Sequence, residues 1–384
     1  MKKVLFVVDE KKMGGVSILL SDILNSINIK KYDIDVLVLH NNGDYLSNLP
    51  KSVNILYGTS FFNTVDYTIG EVIRSKSISK IYSKIRLVYL MKTKRIGKRI
   101  AKERKKILNK KYDVEVAFKD GFCALFTAYG DSIRKYHWLH VDYEKYDCTS
   151  KYTSLFQEIF PKFDKIIGIS NHVIEKFKEK YSVSMTDVIY NIIDGEKIRK
   201  KSLEEKVNFD KSKLNLVAVG RIHKVKGYDR LIDVINKLNN ENKINDVVLR
   251  IIGDGPEFSN IKNKIKENHL EDKVLLLGKM NNPYPYVKES DLFIMCSHNE
   301  GFGNVIIESF VLGVPVLSLE IASIKEIMTD SYGMIYSNSF EGLYNGIRDV
   351  LDNHEELDKY KNNLKKYHYD TKKIINQIES LLDE

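Results

Sequence analysis

No apolar run in the 384-residue chain approaches the roughly 18 to 20 residues that cross a bilayer, so an integral membrane protein is not expected. The start resembles a leader only briefly: after Met1-Lys2-Lys3 the apolar run Val4 to Val8 is about five residues long before Asp9-Glu10 stops it, which suits a buried first strand better. Cysteine is scarce. Cys123, Cys148 and Cys296 are odd in number and lack metal-ligand spacing, which argues against a disulfide framework and for a reduced compartment, the cytoplasm. Internal repeats and low-complexity tracts are absent, and no Asp-x-Asp metal motif is recognised, so no metal is expected.

What is present is an ordinary soluble composition, 43% hydrophobic, in a chain longer than one core usually serves. Two domains are expected, 1–195 and 196–365, with a C-terminal helix over about 366–384 that packs back on the first. The formal charge of +9 is concentrated: Lys80 to Lys111 holds fourteen basic residues and one acid, Glu103, which leaves the rest of the chain slightly acidic.

Strand-like runs at Val4 to Val8, Asp35 to Leu39, Val53 to Leu56, Val114 to Phe118, Tyr136 to Leu139, Lys165 to Ile169 and Val188 to Tyr190 alternate with helical patterns. Such alternation predicts βαβ units around a parallel sheet. A polar stretch over 195–213 reads as a linker. The rhythm then restarts with Leu214 to Val219, Val247 to Ile252, Val274 to Leu277, Leu292 to Met295 and Pro315 to Leu317, a second doubly wound domain. Ligands of such sheets bind beyond the carboxyl ends of the strands, so two of them facing each other would enclose a cleft.

The motifs fall at those strand ends. Gly220-Arg221 follows one strand and Lys226-Gly227 precedes a helix; an Arg fork and a Lys point charge there suit a pyrophosphate. Ile251-Ile252-Gly253-Asp254-Gly255-Pro256 pairs a strand with glycines that permit close approach to backbone. Glu300-Gly301-Phe302-Gly303-Asn304 opens a helix whose amides and dipole could hold phosphate or sugar oxygens. Glu300 and Glu308, seven residues apart, could grip sugar or ribose hydroxyls, each carboxylate accepting from two neighbours. The bland alternatives are a turn with surface charges, a plain strand-to-helix turn, and a capping or solvated acid.

Taken together, these residues resemble glycosyltransferase family 4, over Gly220 to Pro315 most specifically and more weakly through Met13-Gly14-Gly15-Val16 and Asn191-Ile192-Ile193-Asp194. The junction proline usual there is missing. The resemblance implies a GT-B fold, two Rossmann-like α/β domains facing across a cleft, with an N-terminal acceptor domain and a C-terminal nucleotide-sugar domain. It implies that Arg221 and Lys226 bind the donor diphosphate, Glu300 the sugar and Glu308 the ribose, with help from Gly253, Gly255 and the amides of Phe302, Gly303 and Asn304. Gly14 and Gly15 would lie near the transferred group, and His140 would reach the donor sugar from the first domain. Where many members carry a glycine-rich loop, this chain has Ala322-Ser323, side chains that could alter sugar choice.

Retention of anomeric configuration, a nucleotide sugar as donor substrate (UDP is the family's commonest nucleotide), no cofactor and no metal follow from the same resemblance. So does a glycan or lipid-linked acceptor in bacterial surface polysaccharide synthesis. A sugar-nucleotide epimerase of the same fold is the alternative within the fold. A nucleic-acid binder using the basic segment is the alternative outside it, and it leaves the acid pair and glycine turns unexplained, so no nucleic acid is expected. Ile81, Ile85, Val88, Ile96, Ile100 and Ile107 recur through the basic segment at mostly helical spacing, the pattern of a basic amphipathic helix lying on anionic lipid. Residues 80–111 are therefore expected to hold the protein peripherally on the inner face of the cell membrane; the alternative is that the apolar face packs on the first domain and the charges are solvated, and the two are compatible if the docked helix turns its charges to lipid.

Overall fold

The computed structural model describes residues 1–9, 15–40, 48–65, 67–143 and 150–384. The chain divides into two compact units, Met1–Ile192 with Lys372–Glu384, and Ile193–Thr371. Each is built on one sheet, and every strand pairing is parallel.

In the first unit the strands are β1 Lys2–Val8, β2 Tyr32–Val38, β3 Asn54–Tyr57, β4 Val114–Ala117, β5 Arg134–Leu139, β6 Lys165–Gly168 and β7 Thr186–Val188, in the order β3-β2-β1-β4-β5-β6-β7. Helices cover both faces, so a central strand is apolar on both sides, and Val4 to Val7 of β1 are fully buried. The terminal helix Thr371–Asp383 closes this unit. Ile374, Ile378, Leu381 and Leu382 are its buried residues, Lys31 Nζ lies 2.9 Å from Glu379 Oε2, and the Tyr32 hydroxyl donates to Asp383 at 2.9 Å.

The second unit carries β8 Leu214–Val219, β9 Val247–Ile252, β10 Val274–Gly278, β11 Leu292–Met295, β12 Val316–Leu319 and β13 Gly333–Tyr336, in the order β10-β9-β8-β11-β12-β13. The period-2 geometry of β8 divides its side chains between two cores. Leu216 and Ala218 join Leu231 and Ile235 of the helix Tyr228–Asn240, while Val217 joins Ile306 and Phe310 of the helix Asn304–Val311.

Two expectations are corrected here. The stretch 195–213 is not a linker: Asp194 caps a helix, Gly195–Lys201, by accepting from the Lys197 amide at 2.9 Å, and Ile198 is buried beneath it. Further on, Phe209 is buried with the Arg250 guanidinium 3.5 Å from its ring centroid. One isoleucine among five basic and acidic neighbours is too faint an apolar signal to show in the sequence. The basic segment is not one amphipathic helix but two, Ile78–Lys92 and Ile96–Ile107, separated where Lys94 takes a φ of 56°.

Its expected apolar face divides accordingly. Ile96 and Ile100 are fully buried, whereas Ile85 is 64% exposed. Several of its cations also belong to the fold itself. Arg104 is buried in a bidentate pair with Glu115, at 2.6 and 2.9 Å, and donates to the Phe126 carbonyl. Lys110 bridges Asp33 and Asp35 at 2.8 and 3.2 Å, and Lys106 pairs with the buried Glu103.

Candidate functional site

In a doubly wound sheet the crevice opens at the carboxyl ends of the strands where their order reverses, which in the second unit is between β8 and β11. Beyond β8 the chain passes Gly220 and the exposed Arg221, buries Ile222, and makes a 3-10 turn, Lys224–Lys226. Gly227, at φ 68°, then starts the helix Tyr228–Asn240. A Cβ on Gly227 would lie 2.2 Å from the Cys296 carbonyl oxygen, so a glycine is what lets the β8 loop lie against the β11 loop. Backbone bonds fasten the same contact, with the His298 amide donating to the Val225 carbonyl at 2.8 Å and the Cys296 thiol to the Lys226 carbonyl at 3.2 Å.

That fastening brings two of the expected residues together. Lys226 Nζ stands 2.6 Å from Glu300 Oε1, and Ser297 donates to the same oxygen at 2.6 Å. The Glu300 carbonyl is held in turn by the hydroxyl of Ser323, which is buried and donates at 2.7 Å. Glu300 is thus held by two side chains at its carboxylate and one at its backbone carbonyl, and its side chain is only 11% exposed. The support that Ser297 and Ser323 give Glu300 was not expected from the sequence. Ser323 belongs to the Ala322-Ser323 departure, but its side chain points into the protein to hold Glu300.

Gly253 and Gly255 follow β9 and pack tightly against neighbouring backbone. A Cβ on Gly253, at φ 153°, would come within 1.8 Å of the Gly220 carbonyl oxygen, and one on Gly255 within 2.2 Å of that of Ile222. Their close approach is to the β8 loop, which the Ile222 amide secures by donating to Asp254 O at 2.9 Å. After β11, Phe302 is buried and Gly303, at φ 89°, precedes the helix Asn304–Val311, which no side chain caps. Asn304 is its first residue, and Glu308 stands half-buried one turn on.

The remaining expected residues belong to the first unit. Gly14 falls outside the described residues; Gly15 begins the helix Gly15–Ser26, and no described atom lies within 4 Å of where its Cβ would be. His140 follows β5. Its ring lies 4.8 Å from that of Phe118, its amide donates to Asp120 Oδ2 at 3.3 Å, and its Nε2 is buried with no partner among the described residues. Burial, with His137 and Lys119 nearby, lowers its pKa to about 3, so the ring is neutral. His137, stacked on Phe160, is lowered to about 4 by burial. Asp120 goes the other way: burial raises it to about 6 against the opposing effect of the Tyr143 hydroxyl, which donates at 2.8 Å.

Among the described residues no three His, Cys, Asp or Glu side chains gather as metal ligands. Contrary to the expectation from the sequence, the chain has an Asp-x-Asp triplet, Asp33-Ile34-Asp35. It lies in β2, where Lys110 holds both carboxylates and Tyr112 and Asn54 bond Asp35, so the triplet serves the fold. Cys123 and Cys296 are buried, and Cys148 lies outside the described residues.

Residues 199–367 match the family described as Glycosyl transferases group 1. The match covers less than half of the chain. The matched segment contains the whole Lys226–Glu300 cluster, together with Arg221 and Glu308. Relatives include N-acetylgalactosamine-N,N'-diacetylbacillosaminyl-diphospho-undecaprenol 4-alpha-N-acetylgalactosaminyltransferase of Campylobacter jejuni, 33% identical over 55% of this chain and 57% of that protein. N-acetyl-alpha-D-glucosaminyl L-malate synthase of Bacillus anthracis is 30% identical over 43% of this chain and 44% of its own. The chain thus spans about half the length of the curated relatives it matches. Over its full length it shares its fold with Anabaena Alr3699/HepE, solved with UDP and glucose, at a TM-score of 0.72, 18% identity and 100% coverage of both chains. The fold is GT-B, with two Rossmann-like domains.

Proposed function

We propose that the protein is a retaining glycosyltransferase that moves a hexose or N-acetylhexosamine from a nucleotide sugar, UDP-linked, to a glycan or lipid-linked acceptor in bacterial surface polysaccharide synthesis. The observation that carries this reading is the Lys226–Glu300 pair, held by Ser297 and Ser323 at the switch point of a group 1 domain. The names of the Campylobacter relative and of the Escherichia coli O-antigen biosynthesis glycosyltransferase WclY support the acceptor class.

In this reading the bound donor replaces the Lys226–Glu300 contact: the diphosphate takes the Lys226 ammonium and Arg221, and the sugar hydroxyls take Glu300. Glu308 accepts from the ribose, and the amides of Phe302, Gly303 and Asn304 assist. As the glycosidic bond to the diphosphate breaks, negative charge grows on the leaving oxygens, and two cations already in place stabilise it without reorganisation. The acceptor oxygen forms its bond on the face that the diphosphate leaves, and the diphosphate takes the acceptor proton, so no carboxylate nucleophile is required. The neutral ring of His140, with its unpartnered Nε2, is suited to a sugar hydroxyl. No metal or cofactor enters the reaction. The protein acts in the cytoplasm, on the inner face of the membrane, with the basic segment toward anionic lipid.

A donor panel of nucleotide sugars, incubated with membrane-extracted lipid acceptors and read by mass spectrometry, tests the proposal. Consumption of one nucleotide sugar with a matching mass gain on an acceptor is the expected result. Release of a free isomerised nucleotide sugar without acceptor would make the enzyme an epimerase.

A further inference from the structure

The two helices of the basic segment leave an unusual surface. On Ile78–Lys92 the residues Ile78, Tyr82, Ile85 and Tyr89 follow one another at helical spacing, and they are 85%, 66%, 64% and 53% exposed. Ile69 and Ile73, on the preceding helix Ile69–Arg74, add two more exposed apolar side chains. A solvated helix face does not ordinarily collect apolar residues while its opposite face, here Leu87 and Met91, packs on the core.

Along one flank of the stripe lies a pocket of about 410 Å³. Ser79, Ser83 and Arg86 line it from the helix, again at helical spacing, and Ser60 and Phe61 line it from the turn that follows β3. Lys80 and Arg99 complete the wall. The Arg99 guanidinium sits 5.0 Å from the Phe61 ring centroid and pairs with Glu103 at 2.8 Å, and its Nε is buried with no partner among the described residues. Neither Lys80 nor Arg86 has a carboxylate partner among the described residues, in contrast to Lys94, Lys106 and Lys110. The positive end of the Ile78–Lys92 helix, where the Ser77 hydroxyl accepts from the Lys80 amide, opens on the same pocket.

Three cations, several hydroxyls and a helix start fit a phosphate group; an adjoining apolar stripe fits hydrocarbon. We propose that this pocket seats the phosphate headgroup of a membrane lipid, with Ile78, Tyr82, Ile85 and Tyr89 entering the acyl region beside it. Residues 80–111 then recognise a particular group at a particular place, beyond a diffuse attraction of basic charge to an anionic surface. The inference rests on the proposed function only for the reason a lipid should be present. Donor consumption without vesicles tests that function separately.

The experiment is cosedimentation of the full chain with phosphatidylcholine vesicles, alone or containing phosphatidic acid, with thermal unfolding as the folding control. Lys80→Gln/Arg86→Gln is compared with Lys98→Gln/Lys102→Gln, which removes the same charge from exposed positions of the next helix, and with Ile78→Ser/Ile85→Ser. The expected result is that the pocket pair and the apolar pair each weaken binding to phosphatidic acid vesicles by at least about tenfold, and the exposed pair by less than about twofold. Inorganic pyrophosphate in solution should compete with vesicles only weakly, because it lacks the apolar part. Equal losses from the two charge pairs would overturn the proposal in favour of delocalised attraction. A wild-type dimer that Ile78→Ser/Ile85→Ser dissolves would overturn it in favour of a second copy on the stripe, and full displacement by pyrophosphate would overturn it in favour of a soluble phosphate ligand.

Discussion

The ammonium of Lys226 lies 2.6 Å from Glu300 Oε1, and these two residues, 74 positions apart, come from loops that meet only because Gly227 has no side chain. In the function proposed above, the diphosphate and the sugar replace this contact, each giving one member of the pair a new partner.

Lys226→Ala removes a preorganised cation from the leaving group. We expect kcat/KM for transfer to fall about 10²- to 10³-fold, with little change in unfolding temperature. Glu300→Gln keeps an acceptor for the Ser297 hydroxyl but loses the charge that holds sugar hydroxyls. It should slow transfer strongly and trap no covalent glycosyl-enzyme in intact-mass spectra, whereas a trapped adduct would replace the mechanism given above.

Ser323→Ala leaves the Glu300 carbonyl without its 2.7 Å donor in a buried place. One lost hydrogen bond of this kind is worth about 1 kcal/mol, so kcat/KM should fall roughly fivefold. The measurement is steady-state kinetics beside a melting curve. A large melting shift with unchanged kinetics would make Ser323 a packing residue only.

Gly253→Ala puts a methyl group where the Gly220 carbonyl oxygen already is, at a φ of 153°. The β8 and β9 loops must separate. Destabilisation of about 2 kcal/mol or more is expected in denaturant titration, with loss of donor consumption.

Acid should weaken the first unit. His137 and His140 titrate near 6.5 when unfolded but are lowered to about 4 and about 3 when folded, so the unfolded chain binds more protons between those values and stability falls as pH drops below 6.5. Asp120, raised to about 6, acts in the opposite sense between about 6 and 4, one group against two. The net expectation is a stability loss from pH 6.5 to 4. In Asp120→Asn that loss steepens, by up to about 1.4 kcal/mol per pH unit, and chemical denaturation across this range reads it directly.

How much of this was legible in the sequence depended on burial. Leu214–Val219, Val247–Ile252 and Leu292–Met295 are found where the apolar runs put them, because strands covered on both faces must be continuously apolar. The edge strands were harder. β7 lies two residues before the expected Val188 to Tyr190, and β13, with three of its four residues only half-buried, left no signal that was recognised.

At the site, Lys226 and Glu300 were visible because charge beside a strand end is conspicuous. The bonds from Ser297 and Ser323 were not, since a buried serine looks like any other small residue until its partner is known. In the basic segment, charge counting treated Arg104 and Lys110 as surface cations, although Glu115 and the Asp33-Ile34-Asp35 triplet had already claimed them.

The most direct test of the account is the product itself. With the donor that the panel identifies, the anomeric configuration of the transferred sugar is read by NMR for the wild type, and the rate is measured for Lys226→Ala. The account predicts a product with the donor's own configuration and a rate in the variant at least about a hundredfold lower. An inverted product, or a Lys226→Ala enzyme that turns over at the wild-type rate, would contradict it.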